Sequence, residues 1–564
     1  MMDTDSGMAP AQEAALDSVV ADVRAGLASW LDLPMDARIT LLRELKRRVA
    51  AEGRGIVAQG CAIHGVGRGT LWEGDQWLGL FPMTAHAHTH EVVLSRLVAG
   101  QDPLPAGGVS TRLDGQVTVP VFPVTRTEQA LVAGVTASVW LEPGVTEDQA
   151  RAEGAVPLPG DGHDEPGAAL ILAAGNASAL PVTDALSMLF ARGCTVVIKL
   201  NPVNTWLRPF LERILTDFVA AGWVRIVEGG PEVGAYLAHH NGIDRLHMTG
   251  SADTYRALMW GQGEEAARNM AAGTPKLSKP FTAELGGVSP TIVVPGRWRR
   301  HDVRRWADRI AYQTLCNCGH LCNSTQILVL PQGWEQGDEL LADLRNFLHD
   351  LEPQEPFYPG SDARVARAVE GEPGAEATLA PNRRYLVTGL DPDVEHSLFR
   401  DEVFADALGV VTLPAPSVGQ YLAAATEFAN DRLSGTLAAQ VVIDPDSAKT
   451  HQSVLDRSIA DLRYGAISVN EWVGFAFGLG YTTWGGFPGH TPEDIGSGVG
   501  VIGNAFGLPR PERTVVTGAF RSPMKPAECA TFGGRATVYR GMTQYYANAD
   551  PRALLPVLAA SARL

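Results

Sequence analysis

Near the start of the chain, apolar positions recur at helical spacing. In PMDARITLLRELKRRVA, Ile39, Leu42, Leu45 and Val49 share one face and Pro34 suits the first turn, which predicts an amphipathic helix. A second apolar-polar stretch runs from Leu71 to Leu97 and ends at a Pro/Gly break over 102–108. The spacing then changes to alternation. VSTRLDGQVTVPVFPV has two alternating runs about Asp114-Gly115, a hairpin signal. Residues 142–167 are acidic and rich in Gly and Pro, and read as a surface loop.

From residue 168, short apolar runs alternate with helical segments. AALILAA, CTVVIKL, WVRIVEG and DRLHMTG read as strands; Leu180–Arg192, Thr205–Ala221, Glu232–His239 and the segment from Ala252 read as helices. Such β-α repetition predicts a parallel, doubly wound sheet of nucleotide-binding type, although no G-x-G-x-x-G is present. Residues 281–293 and 325–330 are strand-like, and a helix over Val303–Leu315 runs into a cluster of cysteines. Further helices are predicted over 336–349 and 417–430, with strands near 407–413 and 437–443. Two α/β layers meeting near 280–285 are the simplest reading.

Composition narrows the function. The 564 residues carry a formal net charge of −17, which argues against a broad basic face for nucleic acid or anionic lipid. No run of 18 uncharged apolar residues occurs, so no membrane-spanning helix is expected. The acidic opening MMDTDSGMAPAQEAALDSVVADVR resembles neither a secretory nor a transit signal, and the expected location is cytoplasmic. Six cysteines in so long a chain are no disulfide scaffold, but Cys316, Cys318 and Cys322 crowd together.

Cys322 closes the turn Gly319-His320-Leu321-Cys322, between a helix and a strand. Backbone N–H groups of such a turn can aim at the sulfur, lower its pKa and make it a nucleophile. Two plainer readings stay open: a buried structural cysteine, and a zinc site from Cys316, Cys318, His320 and Cys322, whose spacing lacks paired C-x-x-C knuckles. Glu284, at a strand end before Leu285-Gly286-Gly287, is placed to activate water if burial raises its pKa; alone it also reads as a surface carboxylate. His86, His88 and His90 form H-x-H-x-H, read as a solvated helix face rather than a metal site.

Taken in order, these motifs resemble the aldehyde dehydrogenase superfamily. Its E-L-G-G is Glu284-Leu285-Gly286-Gly287, and its G-Q-x-C thiol turn is Gly319-His320-Leu321-Cys322. Gly175-Asn176, Lys199 at the end of VVIK, Met248-Thr249-Gly250-Ser251, Glu402-Val403-Phe404, Asn470 and Trp484-Gly485-Gly486 match further landmarks. The resemblance implies an α/β fold: a Rossmann-like cofactor domain over 1–283 with a β-hairpin oligomerisation arm over about 109–141, a catalytic domain over 284–486, and a C-terminal segment over 487–564 returning to the cofactor domain or arm.

It also implies NAD(P)-dependent oxidation of an aldehyde to a carboxylic acid. Cys322 would be the nucleophile, Asn176 an oxyanion donor, and Glu284 the base that hydrolyses the thioester. Lys199, Gly230, Gly250, Ser251, Glu402 and Phe404 would hold NAD or NADP. Trp472, Phe475 and Phe477 would line the substrate pocket, favouring an apolar or aromatic aldehyde. A homodimer or homotetramer is expected, with the hairpin and Arg513–Thr517 extending a neighbour's sheet. Two alternatives remain: a CoA-acylating relative, against which Glu284 argues, and a non-catalytic binding or structural protein on the same fold.

The chain departs from the family pattern at several points. His320 replaces the usual glutamine and can titrate near neutrality or serve only as a polar turn residue. Pro202 stands where strict NAD users often carry a ribose-binding glutamate, so cofactor choice is expected to be relaxed. The segment between Ser251 and Glu284 is long, and the chain beyond Trp484 follows no common pattern.

Overall fold

The alternation from residue 168 builds one of two sheets in the computed structural model, which describes residues 8–104, 108–132, 134–154, 165–379, 384–522 and 524–562. The smaller sheet has six strands, ordered Gly498–Val499, Phe281–Leu285, Arg245–Gly250, Ala168–Leu172, Thr195–Lys199 and Val224–Val227. All pair in parallel except Gly498–Val499, which runs antiparallel to Phe281–Leu285. The inner strands are buried along their length, as helices on both faces require. The expected doubly wound sheet is therefore present.

Some helices differ from expectation. Leu180–Leu186 continues as a π-helical turn over Ser187–Ala191. The segment read as one helix over Thr205–Ala221 breaks into a 3-10 turn Pro202–Leu207 and helices Arg208–Ile214 and Thr216–Ala220. Pro209 cannot donate to the preceding turn and restarts the helix. Within 142–167 a capped helix forms over Glu147–Glu153, whereas residues 155–164 of that expected loop lie outside the described residues, as do 105–107 of the Pro/Gly break.

The larger sheet has eleven strands. Its order is Ser110–Thr111, Val117–Phe122, Thr136–Leu141, Pro511–Thr517, Ala466–Val469, Ala438–Val442, Ser289–Val293, Thr325–Pro331, Ala407–Leu413, Arg384–Leu390 and Ala375–Leu379. Asp114-Gly115 does turn a hairpin: Gly115 takes φ +88°, and the Asp114 carboxylate accepts the Gln116 N–H at 3.0 Å. The strand over Arg513–Thr517, expected with this hairpin to extend a neighbour's sheet, has partners on both sides within the chain. Pro511–Thr517 pairs in parallel with Ala466–Val469 of the same chain and antiparallel with Thr136–Leu141. The Gln116 amide bridges the Leu141 carbonyl and the Glu512 carboxylate, fixing that register. A period of two identifies strands but not the chain that supplies their partners. Cysteines introduced at the facing pair Ser468 and Val516 are expected to form a disulfide that leaves the denatured, unreduced protein at monomer mass. Covalent dimers would show that the strand is exchanged between chains.

Helices from both ends of the chain form a third layer. Met35–Ile63 packs on Phe81–Val98, and the C-terminal Arg535–Asn548 lies against both. That cover overturns the solvated reading of the histidines. His86 and His90 are 3% and 4% exposed. His86 donates to the Phe477 carbonyl at 2.9 Å, and His90 packs on Phe190. Burial lowers their pKa values to about 4 and about 3, so both are neutral. Among the described residues no group of three or more His, Cys, Asp or Glu is arranged to hold a metal ion, and no helix is long and apolar enough to cross a membrane.

Candidate active site

A cleft of about 960 Å³ opens where strand ends of both sheets meet, the usual position of a ligand site in open α/β sheets. Asn176, Gly250, Ser251, Glu284, Cys322, Glu402 and Phe404 all reach it. They come from seven positions spread over more than two hundred residues, and the two sheets bring them together.

Cys322 owes its position to an unusual turn. Helix Arg300–Leu315 ends at Cys316, and Asn317, Cys318 and Gly319 then take φ values of +56°, +58° and +68°. A left-handed conformation costs a non-glycine residue about 1–2 kcal/mol, so Asn317 and Cys318 need outside support. Gly319 is required for space as well: a Cβ there would come within 2.5 Å of the Ala405 carbonyl. The Asn317 side chain donates to the Asn176 carbonyl at 2.8 Å, and the Asn176 amide donates to the His320 carbonyl at 2.9 Å. Asn176 is thereby tied to the thiol turn.

The electrostatics differ from the expectation of an acidified thiol. Burial, with Glu284 and Glu402 nearby, pushes the Cys322 thiol well above its ordinary pKa, and the thiol hydrogen-bonds the Glu284 carboxylate. Glu284 is 3% exposed, and burial raises its pKa against the opposing hydrogen bonds from the Trp484 indole and Cys322. The Trp484 N–H donates to Glu284 Oε1 at 3.0 Å. The Cys322 thiol thus lies beside a carboxyl group whose pKa burial also raises. Cys316 and Cys318 differ in kind, being buried, with Cys316 bonded to the Tyr312 hydroxyl at 3.1 Å.

His320 is fully buried, donates from Nδ1 to the Phe404 carbonyl at 2.7 Å, and has its pKa lowered by burial to about 4. It braces the turn as a neutral ring and does not titrate near neutrality. Glu402 faces the cleft; its Oε1 is buried and, among the described residues, finds no hydrogen-bond partner. Its pKa rises to about 8 through burial and then the Glu284 charge. An unpartnered acceptor beside Gly286, where a Cβ would strike the Glu402 carboxylate, fits a ligand bearing hydroxyl donors.

Lys199 ends its strand 8% exposed, outside the lining of this cleft, with Glu232 its nearest opposing charge. Glu232 also accepts the Gly230 N–H at 2.9 Å. Trp472, Phe475 and Phe477 do not line the cleft either. Trp472 is buried against Tyr312, and Phe475 and Phe477 are half-buried against the same core. Phe477 meets the site only through Trp484, edge to face at 5.8 Å. The indole on Glu284 has one trace in the sequence, the tryptophan that opens Trp484-Gly485-Gly486.

Residues 163–363 match the model of the aldehyde dehydrogenase family. That segment is a distant homologue of the aldehyde dehydrogenases. The N-succinylglutamate 5-semialdehyde dehydrogenase of Vibrio cholerae serotype O1 is 28% identical over 266 residues, covering 45% of this chain and 51% of that protein. Vanillin dehydrogenase of Pseudomonas fluorescens is 25% identical over 299 residues, covering 48% and 56%. The chain thus spans about half the length of the curated relatives it matches. The fold match is wider. An NAD-dependent aldehyde dehydrogenase from Sinorhizobium meliloti superposes with a TM-score of 0.57 at 19% identity, covering 89% of this chain and 86% of the other. A mutant aldehyde dehydrogenase C from Pseudomonas syringae, solved with NAD+ and octanal, gives 0.56 at 18%, covering 91% and 90%. The aldehyde dehydrogenase fold accordingly extends over about nine-tenths of the chain.

Proposed function

We propose that this protein oxidises an aldehyde to a carboxylic acid through a thioester on Cys322, using NAD or NADP. The observation that carries the reading is the Cys322 thiol bonded to Glu284, itself held by Trp484, on the wall of a cleft that also presents Glu402. As the Cys322 sulfur attacks the aldehyde carbon, its proton passes to Glu284. The Asn176 amide and the Cys322 backbone N–H supply donors for the oxyanion. A bound nicotinamide supplies the hydride acceptor. Glu284, after losing the first proton to solvent, takes a proton from water attacking the thioester, and the Cys322 sulfur departs.

In this reading the region 1–283 is the cofactor domain, 284–486 the catalytic domain and 487–564 the segment that returns to them. Glu402 Oε1 would accept from a ribose hydroxyl, Phe404 would pack beside it, and Gly250 and Ser251 would leave room for a diphosphate against the backbone. Lys199 and Gly230 would serve the far end of the cofactor. Trp484 and Phe477 stand behind Glu284 rather than on the cleft lining, with Phe475 and Trp472 packed in the same core, so these aromatic residues would hold the carboxyl in place rather than select the aldehyde.

A panel of aliphatic and aromatic aldehydes with NAD and with NADP, read as reduced nicotinamide formed, tests the proposal; silence across the panel would contradict it. Both cofactors are expected to work, because Pro202 offers no carboxylate to repel a 2′-phosphate. Pro202→Glu should then weaken NADP selectively, and a wild type that already rejects NADP by more than about a hundredfold would contradict that account.

A further inference from the structure

The turn that presents Cys322 is held from outside by both ends of the chain. Helix Glu73–Leu78, near the N-terminus, places Asp75 under the turn, where its Oδ2 accepts the N–H of left-handed Asn317 at 3.0 Å. The other oxygen accepts the Tyr312 hydroxyl at 3.0 Å. Arg535, at the first position of the C-terminal helix Arg535–Asn548, lies 3.5 Å from Asp75 and stacks 3.9 Å over the Tyr312 ring. The guanidinium is itself locked by three carbonyls, those of Ala527, Leu71 and Cys529, at 2.8–3.0 Å. Asp75 and Arg535 side chains are 2% and 1% exposed, so this ion pair has no role at the surface. From Asn317 the bonds run on to Asn176 and, through Asn176, to the His320 carbonyl two residues before Cys322.

We propose that Asp75, braced by Arg535 and Tyr312, is a positioning residue that sets the turn bearing Cys322 and Asn176. The inference rests on the reading of Cys322 as nucleophile and Asn176 as oxyanion donor. Asp75 touches neither reacting atom and acts through Asn317. Loss of its acceptor frees the Asn317 N–H and lets the left-handed pair relax, which moves the thiol and the Asn176 amide together. Misplacement on the ångström scale costs about a hundredfold in rate.

The test measures iodoacetamide labelling of each cysteine by peptide mass spectrometry alongside steady-state kinetics, in the full-length protein well below its melting temperature. Cys61 and Cys194 are buried far from the turn in sequence and report global opening. Asp75→Asn is expected to change the Cys322 labelling rate about fivefold or more and to lower kcat by about 10- to 100-fold, with KM within about threefold. Cys61 and Cys194 should stay unlabelled. Tyr312→Phe, which removes one hydrogen bond and keeps the ring, should move both readouts the same way by a smaller factor. Arg535→Lys should retain more activity than Arg535→Met. Folded Asp75→Asn and Tyr312→Phe proteins with wild-type labelling and wild-type kcat would overturn the inference; if Asp75→Asn does not fold, Tyr312→Phe alone decides. If labelling responds to Asp75 while the wild type oxidises no aldehyde, the positioning role stands and the proposed reaction falls.

Discussion

Replacing Cys322 with alanine is expected to lower aldehyde oxidation by on the order of 10⁴-fold or more, since the remaining site can bind but cannot form the covalent intermediate. The neighbouring thiols supply the control. Cys316 and Cys318 are buried behind the turn, Cys316 against Tyr312 and Cys318 beside Gln354 and Glu355. Cys316→Ala and Cys318→Ala should therefore keep much of the activity, with losses that follow stability rather than chemistry. Equal loss in all three folded variants would point to a shared cluster in place of a single nucleophile.

Glu284→Gln should separate the two halves of the reaction. Glutamine can still receive the Trp484 N–H through its carbonyl oxygen, so the local packing survives, but it cannot take a proton. The Cys322 thiol must then lose its proton to solvent, which slows the first half-reaction, whereas attack of water on the thioester loses its general base and slows more. A first turnover of reduced cofactor should remain visible, while steady-state turnover falls by about 100- to 10,000-fold as thioester accumulates. The pH dependence carries the same signature. Burial lifts the Glu284 pKa above the ordinary carboxylate value, so its basic form is gained as pH rises through that lifted value. Deacylation in the wild type should rise over the same window, and the Glu284→Gln variant should lose this limb. An unchanged steady-state rate in Glu284→Gln would remove the residue from the mechanism.

The parts of this protein legible in its sequence are those whose signal is local. Short continuous apolar runs and intervening helices between residues 168 and 250 announce four strands of the six-stranded sheet, because strands covered on both faces are apolar along their length. Glu284 and Cys322 stand out because glycine-bearing turns beside a carboxylate and a thiol are chemically conspicuous. What escaped depends on contacts between distant segments. Asp75 and Arg535 carry no local signal, and only the fold brings them together at Tyr312 and Asn317. His86 and His90 look solvated until the helix Arg535–Asn548, Phe190 and the short helix bearing Phe477 cover them. The strand Pro511–Thr517 has the right pattern, yet nothing in a period of two tells it to pair with Ala466–Val469 of its own chain. The thiol differs in the same way: the turn alone suggests an acidified cysteine, whereas burial beside Glu284 and Glu402 pushes the Cys322 pKa up.

The most direct test of the central claim is a single-turnover experiment on Glu284→Gln with an oxidisable aldehyde and NAD, quenched in acid and examined by intact-protein and peptide mass spectrometry. The account predicts one equivalent of reduced nicotinamide per active chain and one acyl group on Cys322, with no other cysteine modified. Reduced nicotinamide formed without any acyl group on Cys322, or an acyl group residing on another residue, would contradict it.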